Sequence, residues 1–188
     1  MAPRPQPAKV ASGVAARAKK IRVLLVDVDG VLTDGRIWLH SEPDGTATEI
    51  KGFSAHDGAG LKLAHDAGLR TGLITGRASP AVAQRARECD MEFVYQGRAT
   101  KLGALEEILR ATGATGAEVA YVGDDLPDLP VMERVGLAAA VANAESEVKR
   151  AAHYVCARSG GDGAVREVVE IILKAQGKWN AAARGARA

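Results

Sequence analysis

The chain has 188 residues, enough for one compact domain with a sizeable core. Apolar residues make up 47% of it, charged residues 26% and aromatics only 4%, and there are 21 glycines, so the core is aliphatic and the turns are tight. A net charge of +2, with much of the basic surplus near the two ends, argues against nucleic acid as a partner.

Residues 1–20 are Ala/Pro-rich and basic but hold no continuous apolar stretch, so they are read as a mobile arm rather than a secretory leader. No run approaches the roughly 18 apolar residues that would span a bilayer, which argues against a membrane partner. Cys89 and Cys156 lie far apart without Cys-x-x-Cys spacing, as expected of buried thiols in a reducing, cytoplasmic compartment.

Residues 21–26 (Ile-Arg-Val-Leu-Leu-Val) have the profile of a strand buried on both faces. Residues 36–39 and 47–51 read as two short strands around the turn Glu42-Pro43-Asp44-Gly45, a β-hairpin inserted after the first strand. Helical patterns follow at 58–67, 80–89, 101–112, 127–135 and 145–151, alternating with short strands at 71–74, 93–95, 119–122, 137–141 and 154–155. The Gly-rich stretch 159–163 is read as a flexible flap before a strongly periodic helix carrying Val165, Val168, Val169, Ile172 and Leu173. Residues 21–178 form the expected domain and 179–188 a disordered tail. Strand–helix alternation of this kind predicts an α/β fold, a Rossmann-like doubly wound parallel sheet.

Ligands of such sheets bind beyond the carboxyl ends of the strands, and the acidic residues fall there. Asp27 and Asp29 follow the first strand, two residues apart, and close carboxylates repel unless a cation or shared proton relieves the charge. A hard divalent ion such as Mg²⁺ suits them. A second acidic cluster, Gly123-Asp124-Asp125-Leu126-Pro127-Asp128, follows the strand at 119–122 and can reach the same cation; Asp128 reads equally as a brace for the next helix. Thr75 and Gly76 end the 71–74 strand and can donate to phosphate oxygens. Lys101 opens a helix, where the dipole disfavours a cation unless an anionic ligand sits beside it.

Asp27, Asp29, Thr75, Lys101 and Asp124-Asp125, each after a strand, resemble the motif set of the haloacid dehalogenase superfamily over residues 21–141. The resemblance implies a Mg²⁺-dependent phosphatase working through an aspartyl-phosphate. Asp27 is then the nucleophile and Asp29 the acid and base. Asp27, the Asp29 backbone carbonyl and Asp124 become metal ligands, with Asp125 and Asp128 behind them, and Thr75, Gly76 and Lys101 hold the phosphoryl group. An acid at position 29 distinguishes the phosphotransferases from the dehalogenase branch. Between Asp27 and Thr75 there is room for only the hairpin and one helix, so no cap domain is expected and a neighbouring subunit would close the site.

Four further segments, Asp29–Gly35, Phe53–Gly60, Tyr121–Asp125 and Gly163–Glu167, resemble the capless family of 3-deoxy-D-manno-octulosonate (Kdo) 8-phosphate phosphatases over about residues 21–178. That family implies a sugar-acid phosphate substrate, a product destined for lipopolysaccharide, and a homotetramer in which a Gly-rich C-terminal segment reaches a neighbour's site. Thr33, His56, Asp57, Arg77 and Arg166 are the substrate-contact candidates. The chain has His56-Asp57-Gly58 where members often have Arg-Asp-Gly, and Asp162 where a basic residue is frequent. Nonulosonate 9-phosphates therefore stay open as substrates, as does a non-catalytic binding or assembly module of the same fold.

Overall fold

The computed structural model describes residues 12–98 and 100–185. Helix α1 (Ser12–Ala18) leads into strand β1 (Val23–Val26). The hairpin β2 (Trp38–Ser41) and β3 (Ala47–Ile50) comes next, then α2 (Ala55–Asp66) and β4 (Arg70–Ile74). Helix α3 (Pro80–Glu88), strand β5 (Phe93–Tyr95) and helix α4 (Lys101–Thr112) follow, then β6 (Val119–Gly123). The rest is α5 (Leu129–Met132), β7 (Leu137–Ala140), α6 (Ser146–Ala151), β8 (Tyr154–Val155), α7 (Ala164–Ala175) and α8 (Trp179–Gly185).

Six strands form one sheet in the order β5-β4-β1-β6-β7-β8, every pairing parallel. β1 and β6 are buried along their whole length, as their unbroken aliphatic runs require for central strands covered by helices on both faces. The chain runs outward from β1 to β4 and β5, then crosses back to β6, so the order reverses around β1. Crevices for ligands open at such a reversal.

Helix α7 shows how sequence period becomes packing. Val165, Val168, Val169, Ile172 and Leu173 are buried on one stripe, and the helix lies against α2 and α1. Burial of side chains of this size contributes roughly 1.5–3 kcal/mol each, so a charge at Val169 would break the layer.

Two terminal expectations need correction. Within the supposed arm, Ser12–Ala18 is helical and buries Val14 and Ala18 against the core. Its small residues repeat at helical spacing and close the bottom of α7; residues 1–11 lie outside the described residues. Trp179–Gly185 is a helix rather than disordered tail, with the Trp179 ring against Arg166 and Lys174, each about 5 Å from its centroid. Residues 186–188 lie outside the described residues.

The helix expected over 127–135 is split. A 3-10 turn, Leu126–Asp128, precedes the short α5; Pro130 lacks the amide that one continuous helix would need there, whereas Pro127 sits in a first turn, where none is needed. The Gly-rich stretch is not a loose flap either. The Gly160 amide donates to Asn143 at 2.9 Å and the Gly161 amide to the Val31 carbonyl at 3.0 Å, which docks the stretch on the loop after β1. A Cβ on Gly160 would strike the Gly30 carbonyl, so this glycine serves close approach rather than mobility.

Candidate active site

β1 ends directly in Asp27, whose amide donates to the Val122 carbonyl at 3.0 Å and so continues the sheet into the crevice. The loop beyond is tied by Thr33. The Thr33 hydroxyl accepts from the Gly30 and Gly35 amides at 3.3 and 3.2 Å and donates to the Val28 carbonyl at 3.4 Å. Gly30 has φ +93°, and a Cβ there would run into the Asp124 carboxylate. The two acidic loops can therefore approach only with glycine between them.

β6 delivers the second cluster. The Asp128 carboxylate is fully buried and spends both oxygens on the site. Its Oδ1 accepts from Lys101 Nζ and from the Tyr121 hydroxyl, both at 2.7 Å. Its Oδ2 accepts from the Asp124 and Asp125 amides at 2.8 and 3.2 Å. Asp128 thus shapes the loop that presents Asp124 and anchors the lysine.

Lys101 stands at the first position of α4, and its ammonium lies 2.7 Å from both Asp27 Oδ1 and Asp128 Oδ1. Carboxylates of the chain itself, rather than the anionic ligand expected from the sequence, stand beside the lysine at this helix start. Burial pulls the Lys101 ammonium toward the neutral form, but Asp27 and Asp128 outweigh it and its pKa is raised.

Ligand oxygens of Asp27, Asp124 and Asp128 lie within 4.8 Å of one another. Asp128 is saturated by its donors, so the open pair is Asp27 and Asp124. Among the described residues Asp124 Oδ1 is buried with no hydrogen-bond partner; Asp27 Oδ1 has the lysine as an ion pair but no well-aligned hydrogen bond. Burial pushes the Asp27 pKa up to about 6, with Lys101 opposing and Asp128 adding to the rise. Burial, then Asp27 and Asp128, pushes Asp124 up to about 8. Buried carboxylates that resist ionisation side by side, with only oxygen donors offered, fit a hard divalent cation.

Around this pair a cavity of about 310 Å³ is lined by Asp29, Thr75, Gly76, Arg77, Arg98 and Asp125 as well as the acids and Lys101. Thr75 follows β4 and is almost fully buried, its amide donating to the Tyr95 carbonyl at 2.9 Å. Asp125 Oδ1 accepts from the Leu126 amide at 2.7 Å and so starts the 3-10 turn. Asp27, Asp29, Thr75, Gly76, Lys101, Asp124, Asp125 and Asp128 are brought together from four strand ends.

The substrate-contact candidates fare differently. Arg77 lines the cavity, paired to Glu49 and standing 3.6 Å from Asp29 Oδ2. Thr33 does not face it, because its hydroxyl is consumed inside the turn. Asp57 is buried under α7, accepting from the Gly163 and Arg166 amides at 3.1 and 2.8 Å; it caps that helix and is closed to substrate within this chain. Arg166 pairs with Glu170 at 3.0 Å and lines a separate cavity of about 510 Å³ with Lys62, Leu63 and Trp179. That larger cavity has no grouping of acids like the one at the strand ends. His56 is exposed and does not line the acidic cavity.

Besides Arg98, three residues at the site went unread in the sequence. Lys51 just after β3 has its side chain 2% exposed and is ion-paired to Asp29 Oδ1 and, at 3.2 Å, to Glu49. Glu49 joins it to Arg77. Glu49 and Lys51 are two apart, the strand period that places both on one face, and that charge alternation was the available signal. Tyr121 reads as a core aromatic, and only its hydroxyl's partner reveals more.

The profile of haloacid dehalogenase-like hydrolases matches residues 90–168. The Kdo 8-phosphate phosphatase KdsC of Escherichia coli K12 is 42% identical over 173 residues, covering 92% of this chain and 90% of that protein. The crystal structure of the Yersinia pestis enzyme of that name superimposes with a TM-score of 0.85 at 41% identity, over 90% of this chain and 89% of that one. The Moraxella catarrhalis enzyme, solved with magnesium, phosphate and Kdo, gives 0.88 at 37% identity over 94% and 99%. With such identity along nearly its whole length, and the acidic crevice where the motifs put it, the chain belongs to the Kdo 8-phosphate phosphatase family of haloacid dehalogenase-like hydrolases.

Proposed function

We propose that the protein is a Mg²⁺-dependent phosphatase that hydrolyses 3-deoxy-D-manno-octulosonate 8-phosphate to Kdo and inorganic phosphate. The observation that carries this reading is the buried, unsatisfied pair Asp27 and Asp124 beside Lys101, in a chain 42% identical to an enzyme of that name.

In this reading Asp27 attacks phosphorus in line, with the sugar oxygen leaving. Asp29 gives that oxygen its proton and afterwards takes one from the water that cleaves the aspartyl-phosphate. The ion pairs from Asp29 to Lys51 and Arg77 hold its carboxylate at the mouth of the cavity. Lys101, Thr75 and the Gly76 amide face the phosphoryl oxygens and stabilise charge that builds on them. Asp27, Asp124 and the Asp29 backbone carbonyl would hold Mg²⁺, which neutralises phosphoryl charge and orients the ester. Asp125 and Asp128 support that loop from behind.

A homotetramer completes the reading. The hairpin leaves Ile37, Trp38, Leu39 and Ile50 each more than half exposed, beside a site that no cap domain covers. Apolar exposure of this density on a projecting ribbon suits burial against neighbouring subunits. No helix among the described residues is long and apolar enough to cross a membrane, and both cysteines are free and buried. We place the reaction in the cytoplasm, with its product feeding lipopolysaccharide synthesis.

Steady-state turnover of the eight-carbon ester, in Mg²⁺ and in chelator, tests this function against nine-carbon nonulosonate 9-phosphates. Metal-dependent release of phosphate with preference for the eight-carbon ester is expected. Preference for the nine-carbon ester would overturn the substrate, and inactivity on both would favour a binding module.

A further inference from the structure

The cations at the mouth of the cavity are not equivalent. Lys101 is held by two buried carboxylates, and Arg77 is paired to Glu49 and stands near Asp29. Arg98 differs. It lines the same cavity, yet among the described residues its one ion pair is a long one, 3.5 Å to Glu107, with both side chains about two-fifths exposed.

Its backbone is nevertheless fixed to the reaction centre. The Arg98 amide donates to the Thr75 carbonyl at 3.1 Å, so the residue is registered to the threonine that faces the phosphate. Its guanidinium lies over the Tyr95 ring, 5.1 Å from the centroid. A guanidinium held over an aromatic ring spends none of its N–H donors on that contact, so they stay available for a carboxylate, which a guanidinium can receive through two parallel hydrogen bonds. An exposed pair such as Arg98–Glu107 contributes little, so exchanging Glu107 for a ligand anion costs little.

We propose that Arg98 is a specificity-determining residue that binds the carboxylate of the sugar-acid leaving group, selecting acidic over neutral sugar phosphates. The inference rests on the phosphatase reading above and adds to it the cation that recognises the end of the substrate remote from the reacting phosphorus. Arg98 takes no part in bond making; it positions an anion already present in the substrate.

Turnover of Kdo 8-phosphate and of glucose 6-phosphate, a neutral sugar ester, is to be compared in the unaltered enzyme, Arg98→Gln and Glu107→Gln, all with Mg²⁺. Inhibition of p-nitrophenyl phosphate hydrolysis by free Kdo is measured alongside. Loss of a charge-assisted bidentate contact should lower the acid-to-neutral ratio of kcat/KM about tenfold in Arg98→Gln, through KM rather than kcat. The inhibition constant of Kdo should rise by a similar factor. Glu107→Gln frees the guanidinium and should move both readouts the opposite way. An unaltered enzyme inactive on Kdo 8-phosphate would refute the proposed substrate, while the inhibition constants would still judge Arg98. Ratios and inhibition constants unchanged in Arg98→Gln would overturn the inference.

Discussion

The strand-end acids and the hairpin are both rich in polar groups, but they are built oppositely. At the strand ends, Asp27, Lys101, Tyr121 and Asp128 are buried and locked to one another by hydrogen bonds and ion pairs that join the ends of β1 and β6 to the start of α4. On the hairpin, Trp38, Leu39 and Ile50 are exposed, and Glu49 and Lys51 join the ribbon to the site by ion pairs. The chemistry is thus preorganised within one chain, where donors need no rearrangement as charge develops. Closure of the site is left, in the assembly proposed above, to the exposed apolar hairpin.

The largest effect should come from the locked region. Asp27→Asn retains shape and removes the attacking oxygen, so kcat should fall by roughly 10³-fold or more while circular dichroism stays unchanged. Asp29→Asn follows, with a loss on the order of 10²–10⁴ in kcat and little change in metal-induced stabilisation, since the acid and base step alone is removed. Near-normal rates in either variant would place the chemistry elsewhere.

On the hairpin side, Trp38→Glu should shift the protein to a smaller species in light scattering and raise KM more than it lowers kcat. A variant that keeps both its mass and its kinetics would detach the hairpin from assembly.

The burial of Asp27 and Asp124 gives a pH dependence of its own. Their folded pKa values, about 6 and about 8, lie above the ordinary 3.8. Raised carboxylate pKa values favour the metal-free fold at low pH, and that contribution fades as pH rises through the two values. A divalent cation replaces those protons. The rise in Tm on adding Mg²⁺ should therefore grow between pH about 6 and about 8, and a shift independent of pH would contradict the metal assignment.

The smallest expected effect sharpens the role of Asp128. Tyr121→Phe removes one donor to Oδ1 and should cost about 1 kcal/mol of stability, with a severalfold loss of kcat as Lys101 is drawn toward Asp128. Unchanged kcat with reduced stability would make the tyrosine a core residue only.

What the sequence revealed follows from how local each cause is. The six parallel strands and α4 are legible because aliphatic runs and helical period are properties of adjacent residues, and Lys101–Thr112 is found with its bounds as read. Asp27, Thr75, Lys101 and Asp124 are legible because each follows a strand at the same edge of the sheet. Lys51 was not, since its partner Asp29 is distant along the chain and belongs to another element. Asp57 and Thr33 show the converse. Polar residues beside a functional motif look like ligands for substrate, whereas their oxygens serve backbone amides of α7 and of the β1 loop. The glycines at 160 and 161 suggested mobility by composition alone, and only the approach of the Gly30 carbonyl shows why side chains are excluded there.

The central claim is that Asp27 makes a covalent bond to phosphorus. Rapid acid quenching of the enzyme turning over Kdo 8-phosphate in Mg²⁺, followed by mass spectrometry of the peptide that contains Asp27 and Asp29, addresses it directly. A transient phosphoryl group on Asp27, absent in Asp27→Asn, is the predicted result. Phosphate released at full rate in the first turnover with that peptide never modified would contradict it.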